Sequence, residues 1–244
     1  MEHTDWFKSW FGSLYYNILY EKHDDLEAQA FVENLINYLQ PLPNSRMLDI
    51  ACGTGRFATQ LAEYGYDVTG IDISQASIEK AKTMEHENLQ FFVHDMRFPF
   101  YINYFNYAFN FFTSFGYFEH NRDHLMAAKS FAAGLTKEGI LVIDYLNKEK
   151  VLLNLVPEET IEREGYEFHI KRVFQRNHIY KNIEFTDAEG QKRNYRESVA
   201  AFSLADFIQM FKIAGLSLIG IFGDYKLNTY HPMDSPRMIM VFKK

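Results

Sequence analysis

The stretch MLDIACGTGRFA, residues 47–58, constrains the fold more than any other part of the chain. A short apolar run without turn residues reads as a strand buried on both faces. Two glycines two residues apart follow it, and then the helix-like segment RFATQLAEYG. Gly53 and Gly55 permit a tight turn and let a ligand lie against bare backbone. The helix behind them offers unpaired N–H groups. Gly-x-Gly-x-x-Ala is shared by several kinds of nucleotide-binding loop, so this stretch alone leaves the ligand undecided.

The same alternation recurs along the chain. HDDLEAQAFVENLINYLQ reads as a helix with Leu26, Ala30, Leu35 and Leu39 near one face, stopped by PLPN. Strands follow at SRMLDIA, YDVTGID, NLQFFVHD, YFNYAFNFF and ILVIDYL. Between them lie a helix closed by Gly65, the helix SQASIEKAKTM capped by Ser74, and the helix RDHLMAAKSFAAGLTKEG. Strands alternating with helices imply parallel strands joined by right-handed crossovers, an α/β doubly wound sheet. From about Lys150 to Ser203 the pattern changes. YEFHIKRVFQ, HIYKNIEFTD and QKRNYRESVAAF alternate in polarity and read as an antiparallel meander inserted after the fifth strand. A helix, SLADFIQMFKIAG, and a closing hairpin of LSLIGIFGDY with SPRMIMVFKK complete the chain. The expected division is a core of residues 1–149 and 203–244, with an insert at 150–202 that caps the site or forms a dimer contact.

The chain has 244 residues, 47% apolar and 17% aromatic, which is enough for one large packed domain. A net charge of −7 argues against nucleic acid or an anionic membrane as partner, since both select basic patches. The single cysteine, Cys52, excludes an internal disulfide and suits a reducing compartment, so a cytoplasmic location is expected. The aromatic start, interrupted by charge, does not look like a signal peptide. No apolar run approaches the ~20 residues a membrane helix needs.

Three aspartates stand at the ends of the first three strands. Asp49 lies four residues before Gly53, where a negative charge suits a cationic ligand better than a pyrophosphate. Asp72 in VTGIDIS can accept from two ribose hydroxyls. Asp95 in FFVHDM can accept from an adenine amino group, or can be the N-cap of a helix starting at MRF. FNFFTSFGYFEH after the fourth strand supplies aromatic faces, which attract a cationic group. His120 and His124, one helical turn apart with Asp123 between, have metal-ligand spacing but no clear third ligand. The default for them is a solvated helix start, and no metal is expected.

With these residues in place, the chain resembles the Rossmann-like, class I S-adenosylmethionine-dependent methyltransferases, in a bacterial branch acting on small molecules. LDIACGTGR looks like that family's first motif, VTGIDIS its second, FFVHDM its third, and NFFTSFGYF the segment facing the methyl group. The resemblance spans roughly residues 25–145. An antiparallel insert after strand five and GDY…SPRMIMV near the end resemble the same branch. It implies a seven-stranded sheet whose last strand, RMIMVFKK, runs antiparallel. It also implies a helical lid over about 1–40, with Tyr15, Tyr16 or Tyr20 touching the cofactor. The cofactor is then S-adenosylmethionine, leaving as S-adenosylhomocysteine.

Its expected neighbours are Asp49, Ala51, Cys52, Gly53, Gly55, Arg56, Asp72, Ile73, Asp95, Met96, Phe111, Tyr16 and Tyr20. Met96 would supply a backbone N–H, Ile73 would pack on adenine, and Arg56 would pair with the methionine carboxylate. Cys52 reads as a small packing residue rather than a nucleophile. Tyr117, Phe118 and His231 are the expected transfer residues at the acceptor. Tyr230 in the same loop as His231, and Arg172, Tyr195 and Arg196 in the insert, are further residues that can face it. The acceptor is a small molecule, methylated at nitrogen or oxygen. Two other readings stay open. One is a nicotinamide-dependent oxidoreductase on the same loop, which Asp49 disfavours. The other is a non-catalytic module that pairs with a second subunit, as a homodimer for instance, through an exposed edge in YEFHIKRVFQ.

Overall fold

Five apolar segments spaced by helices lie side by side because each is too apolar to leave either face in water. In the computed structural model, which describes residues 10–20 and 25–244, they are β1 (Arg46–Ile50), β2 (Asp67–Asp72), β3 (Leu89–Val93), β4 (Phe105–Asn110) and β5 (Leu135–Leu146). Every pairing among them is parallel. Four strands then form a separate antiparallel sheet: β6 (Glu158–Arg163), β7 (Tyr166–Gln175), β8 (His178–Thr186) and β9 (Lys192–Ala200). β10 (Ser217–Phe222) and β11 (Arg237–Lys243) return to the first sheet, whose order is β10-β11-β5-β4-β1-β2-β3. β11 runs antiparallel to both β10 and β5. The expected fold class, a mostly parallel seven-stranded sheet with an antiparallel last strand and an antiparallel insert after strand five, is what the chain forms.

Helices cover both faces of the large sheet. On one side α2 (Asp25–Leu39), α3 (Arg56–Glu63) and α4 (Gln75–Ala81) bury Phe31, Val32, Phe57, Leu61 and Ile78 against Met47, Val68 and Phe91. On the other, α5 (Asn121–Gly134) and α7 (Leu204–Ile213) bury Phe131, Phe207 and Phe211 against Leu141, Ile143 and Phe242. The short helices α1 (Leu14–Tyr20) and α6 (Lys148–Leu153) lie outside this frame. Ser74 caps α4 by accepting from Ser77 N at 3.2 Å, and Ser203 with Asp206 makes a reciprocal capping box on α7.

Several expectations need correction. The buried face of α2 is Ala28, Phe31, Val32 and Leu35, a single i, i+3, i+4, i+7 stripe, while Ala30 is exposed. The side chain of Leu26 lies outside the described residues. α5 stops at Gly134 rather than at Gly139. Its last carbonyls, Ala133 O and Gly134 O, accept from Asn103 N and Tyr104 N at 2.9 Å, which hands Leu135 to the sheet. The insert has four strands, not three, because the charged EETIER pairs along β7. β7, which is YEFHIKRVFQ, lies between β6 and β8, and β6 covers the expected edge along residues 166–171.

The insert is tied to the large sheet beside β4. Tyr145 on β5 donates to Ala200 O, and Ala200 N donates to Gly116 O at 2.8 Å. One face of the insert then packs against the N-terminal segment, burying Trp10, Ile18 and Leu19 with Phe168, Ile170, Ile183 and Phe185. Among the described residues no helix is long and apolar enough to cross a membrane.

Gly70 on β2 shows how closely the sheet packs under its helices. A Cβ there would stand 2.5 Å from Phe91 Cδ1 and 2.9 Å from Cys52 Sγ. Phe91 is fully buried and cannot swing away. Gly70→Ala is therefore expected to cost about 1–3 kcal/mol of folding stability by overpacking, read as a lower urea midpoint at unchanged slope.

Candidate functional site

The strand order reverses between β1 and β4, the position where open α/β sheets leave a crevice at their C-terminal ends. A cavity of about 470 Å³ opens there, a volume suited to a small-molecule ligand. The end of β1 contributes Asp49, the loop after it Ala51, Cys52, Gly53 and Thr54, the start of α3 Arg56, and the ends of β2 and β3 with the residues just beyond them Asp72, Ile73, His94, Asp95 and Met96. The segment after β4 adds Phe111, Phe112, Ser114, Tyr117 and Phe118, and the N-terminal segment adds Phe11, Tyr16 and Tyr20.

The two glycines do different work. A Cβ on Gly53, at φ +56°, would meet nothing within 4 Å. Its bare backbone faces open space. Gly55, at φ +87°, faces the core, where a Cβ would stand 2.5 Å from Phe91 Cζ. It is not part of the cavity wall and serves the turn and the packing of α3. Asp72 fastens the loop from the side: Oδ2 accepts from Gly53 N at 2.9 Å and Oδ1 from Ser74 N at 2.8 Å. Each carboxylate oxygen can accept again, so both can still receive ligand hydroxyls.

Asp49 is buried, and its Oδ2 has no hydrogen-bond partner. Burial first, and the Asp72 charge second, push its carboxyl up to about 8 against a backbone hydrogen bond from Ala58. Near neutral pH Asp49 is therefore mostly a neutral acid beside the Asp72 carboxylate. Asp95 accepts from Arg97 N at 3.0 Å and holds the Arg97 guanidinium through contacts of 2.6–3.1 Å. It thus caps a turn rather than a helix. His94 Nε2 lies 2.8 Å from Phe98 O, and Cys52 is a buried thiol held protonated by its surroundings.

The rest of the lining is largely aromatic. Phe111 stacks on Phe57 at 4.2 Å, and the Tyr117 ring lies 5.1 Å from that of Phe11. The Arg56 guanidinium sits 4.9 Å over the Phe57 ring and 5.0 Å over that of Phe112. Burial keeps the hydroxyls of Tyr16, Tyr20 and Tyr117 protonated. Phe118 packs edge-on against His124 at 5.2 Å. His124 itself is 1% exposed, inside a box with Phe115 and Phe202. It is not the solvated helix start expected of it, and burial lowers it to about 4. Among the described residues no group of three His, Cys, Asp or Glu can hold a metal.

Some expected residues fall elsewhere. His231 is outside the cavity wall; its backbone N donates to Ser235 Oγ at 2.8 Å, within a loop of its own. Tyr230 donates to Asn147 at 3.3 Å. Arg172 pairs with Glu159, Arg196 lies 4.3 Å over the Tyr180 ring, and Tyr195 packs 4.4 Å from Trp10. None of these reaches the cavity.

The sequence reading missed a buried hub under the aromatic wall. Phe112 and Thr113 both adopt positive φ, +56° and +60°. Asp144 at the end of β5 accepts from Phe112 N at 2.9 Å, from Tyr225 Oη at 3.1 Å and from Arg237 Nε at 2.7 Å. Arg237 also donates to Thr113 Oγ1 at 2.9 Å, and Thr113 N donates to Asp144 O at 2.9 Å. A lone acid in ILVIDYL and a lone base in PRMIMV were its signal.

Two outcomes follow from this geometry. Arg237→Met leaves the Asp144 charge buried without its partner, and a loss of about 3–5 kcal/mol is expected in urea unfolding. Asp49 binds a proton in the fold up to about pH 8 but loses it near 4 in the unfolded chain. The folded state therefore holds the extra proton between those values, and stability falls as pH rises through them. The melting temperature of Asp49→Asn minus that of wild type is expected to grow from pH 5 to pH 8. A difference constant with pH would contradict the assignment.

Comparison with known proteins fits this arrangement. The family model described as a methyltransferase domain matches residues 20–220. A putative methyltransferase of Bacillus subtilis is 32% identical over 146 residues, which cover 57% of this chain and 58% of that protein. The matched stretch is thus less than two thirds of that relative. A solved S-adenosylmethionine-dependent methyltransferase of Clostridium acetobutylicum superposes with a TM-score of 0.79 at 15% identity, covering 94% of this chain and 96% of the other. An S-adenosylmethionine-bound amino pentose methyltransferase of Micromonospora echinaspora gives 0.69 at 17% identity, covering 95% and 97%. At these identities the structures share the fold.

Proposed function

The chain belongs to the methyltransferase-domain family, the class I kind that uses S-adenosylmethionine, and from that premise we propose that it methylates nitrogen or oxygen of a small molecule held in its aromatic chamber. The observation that carries this reading is the lining of one cavity. Carboxylates at the ends of β1, β2 and β3 share it with rings from the post-β4 segment and the N-terminal segment.

The residues present fit the cofactor. The open face of Gly53, the orphaned Oδ2 of Asp49 and the remaining acceptor capacity of Asp72 are what an adenosyl ligand with two positive charges selects. In this reading Asp72 holds the ribose, Ile73 and Met96 flank adenine with Asp95 beside it, and Asp49 with the loop Ala51–Cys52–Gly53 faces the methionine end. Arg56 faces the carboxylate, and Tyr16, Tyr20 and Phe111 close over it. When bound, the sulfonium supplies an already activated methyl group. The protein's part is to align the acceptor with it and to exclude water. Rings of Tyr117 and Phe118 favour the positive charge before transfer. The phenols of Tyr16, Tyr20 and Tyr117 stand in this wall, and burial holds them protonated, so none of them serves as a base. That favours a neutral amine over an alcohol, because the amine needs no base at the moment of transfer. An amino pentose, the acceptor class in the name of the Micromonospora relative, carries such an amine.

Calorimetry with S-adenosylmethionine, S-adenosylhomocysteine and NAD tests the reading. The two adenosyl ligands are expected to bind at about micromolar Kd and NAD not at all. Asp72→Ala should weaken them about a hundredfold, since each hydrogen bond to a charged group is worth roughly 1.5–3 kcal/mol. NAD binding without adenosyl binding would overturn it. A screen of small amines and alcohols for S-adenosylhomocysteine formation then separates an enzyme from a module that only binds.

A further inference from the structure

Two buried charged side chains of the inserted sheet stand outside the assignments above. Lys181 on β8 and Glu197 on β9 are directly opposed in register, and each side chain is only 13% exposed. Glu197 Oε1 accepts from Trp10 Nε1 and from Tyr20 Oη, both at 2.6 Å. The Lys181 ammonium donates to the same Tyr20 oxygen. It also lies 4.4 Å over the Tyr20 ring and 4.0 Å from Glu197 Oε2.

Apolar contact already holds the N-terminal segment to this sheet, through Ile18 and Leu19 on Phe168, Ile170 and Ile183. Such contact is non-directional and does not fix where along the sheet a given ring rests. Hydrogen bonds to a charged group are short and directional. Burying both charges is unfavourable unless each is paired, so the pair is a poor choice for adhesion alone. What it does is set the position of two rings. Tyr20 is itself in the cavity wall, and Trp10 precedes Phe11 and packs edge-on against Tyr16, both also in the wall.

We propose that Glu197, oriented by Lys181, is a positioning residue that latches the Trp10–Tyr20 segment over the cofactor cavity, so that the inserted sheet governs how fast the cofactor leaves. The proposal rests on the function proposed above. It makes the insert part of the cofactor-holding machinery, although none of its strands reaches the cavity wall.

The test uses the full chain with Trp6→Phe, which leaves Trp10 as the only tryptophan. S-adenosylhomocysteine is the probe, and its association and dissociation rates are measured by stopped flow. Glu197→Ala is expected to speed dissociation about tenfold and to leave association within about twofold, since changes in a closing contact act mainly on dissociation. Trp10 emission should shift to the red. Glu197→Gln, whose amide oxygen still accepts from both donors, should recover most of the slow release. A folded Glu197→Ala that releases the ligand at the wild-type rate overturns the proposal. If Glu197→Ala does not fold, Tyr20→Phe takes its place, with faster release expected and an unchanged rate overturning it. If wild type binds no S-adenosylhomocysteine, the cofactor reading fails, and Trp10 emission alone decides the latch: a red shift in the variant supports it, an unchanged spectrum overturns it.

Discussion

The Asp144–Arg237 ion pair is the interaction on which the rest of the site depends. Asp144 is fully buried, and Arg237 reaches it at 2.7 Å from the antiparallel last strand. A buried pair of this kind is stable only when its other lone pairs and protons are also satisfied. Here they are satisfied by the turn after β4, through Phe112 N and Thr113 Oγ1, and by Tyr225. Two consecutive non-glycine residues at positive φ are strained, at roughly 1–3 kcal/mol each, and they persist because the pair holds them from both ends. The aromatic wall hangs from that turn. The antiparallel direction of β11 matters because it is what brings Arg237, at the strand's beginning, level with the C-terminal end of β5.

From this support the cavity gains its lining. One end collects Asp49, Asp72 and Asp95, because parallel strands all finish on the same edge. The rest of the lining collects rings from chain segments far apart in sequence. A ligand that is cationic along its length is accommodated better than one carrying phosphates, and the protonated Asp49 lessens the repulsion from Asp72 until such a ligand arrives. Gly116 and Ala200 join the insert to the same turn. The core turn, the insert and the N-terminal segment are therefore coupled mechanically, although they are separate packing units.

Much of this was legible in the sequence. The strands of the large sheet show as apolar runs, and their alternation with helices implies parallel pairing. Asp49, Gly53 and Asp72 stand out because strand-end acids and glycines have few roles in such a unit. The reading erred where tertiary contact overrules local pattern. EETIER looks too charged for a strand, yet an edge strand keeps one side in water. Gly55 looks like ligand backbone from its motif, but the position of Phe91 makes it a packing glycine. His124 looks like part of a solvated helix start, but Phe202, distant in sequence, closes over it. The loop position of His231 suggests the acceptor side, whereas its loop folds back on Ser235.

By itself, then, the sequence determined the secondary structure of the core, the parallel sheet and the acids that line the cavity, because periodicity and glycine geometry are local properties. The tertiary structure alone decided which rings meet the cavity, how the turn after β4 is clamped and where Glu197 and Lys181 point. Those depend on pairs such as Phe112–Asp144 and Tyr20–Glu197, residues 32 and 177 positions apart. No local pattern encodes contacts of that range, because they form only after the sheet, the insert and the N-terminal segment have each packed.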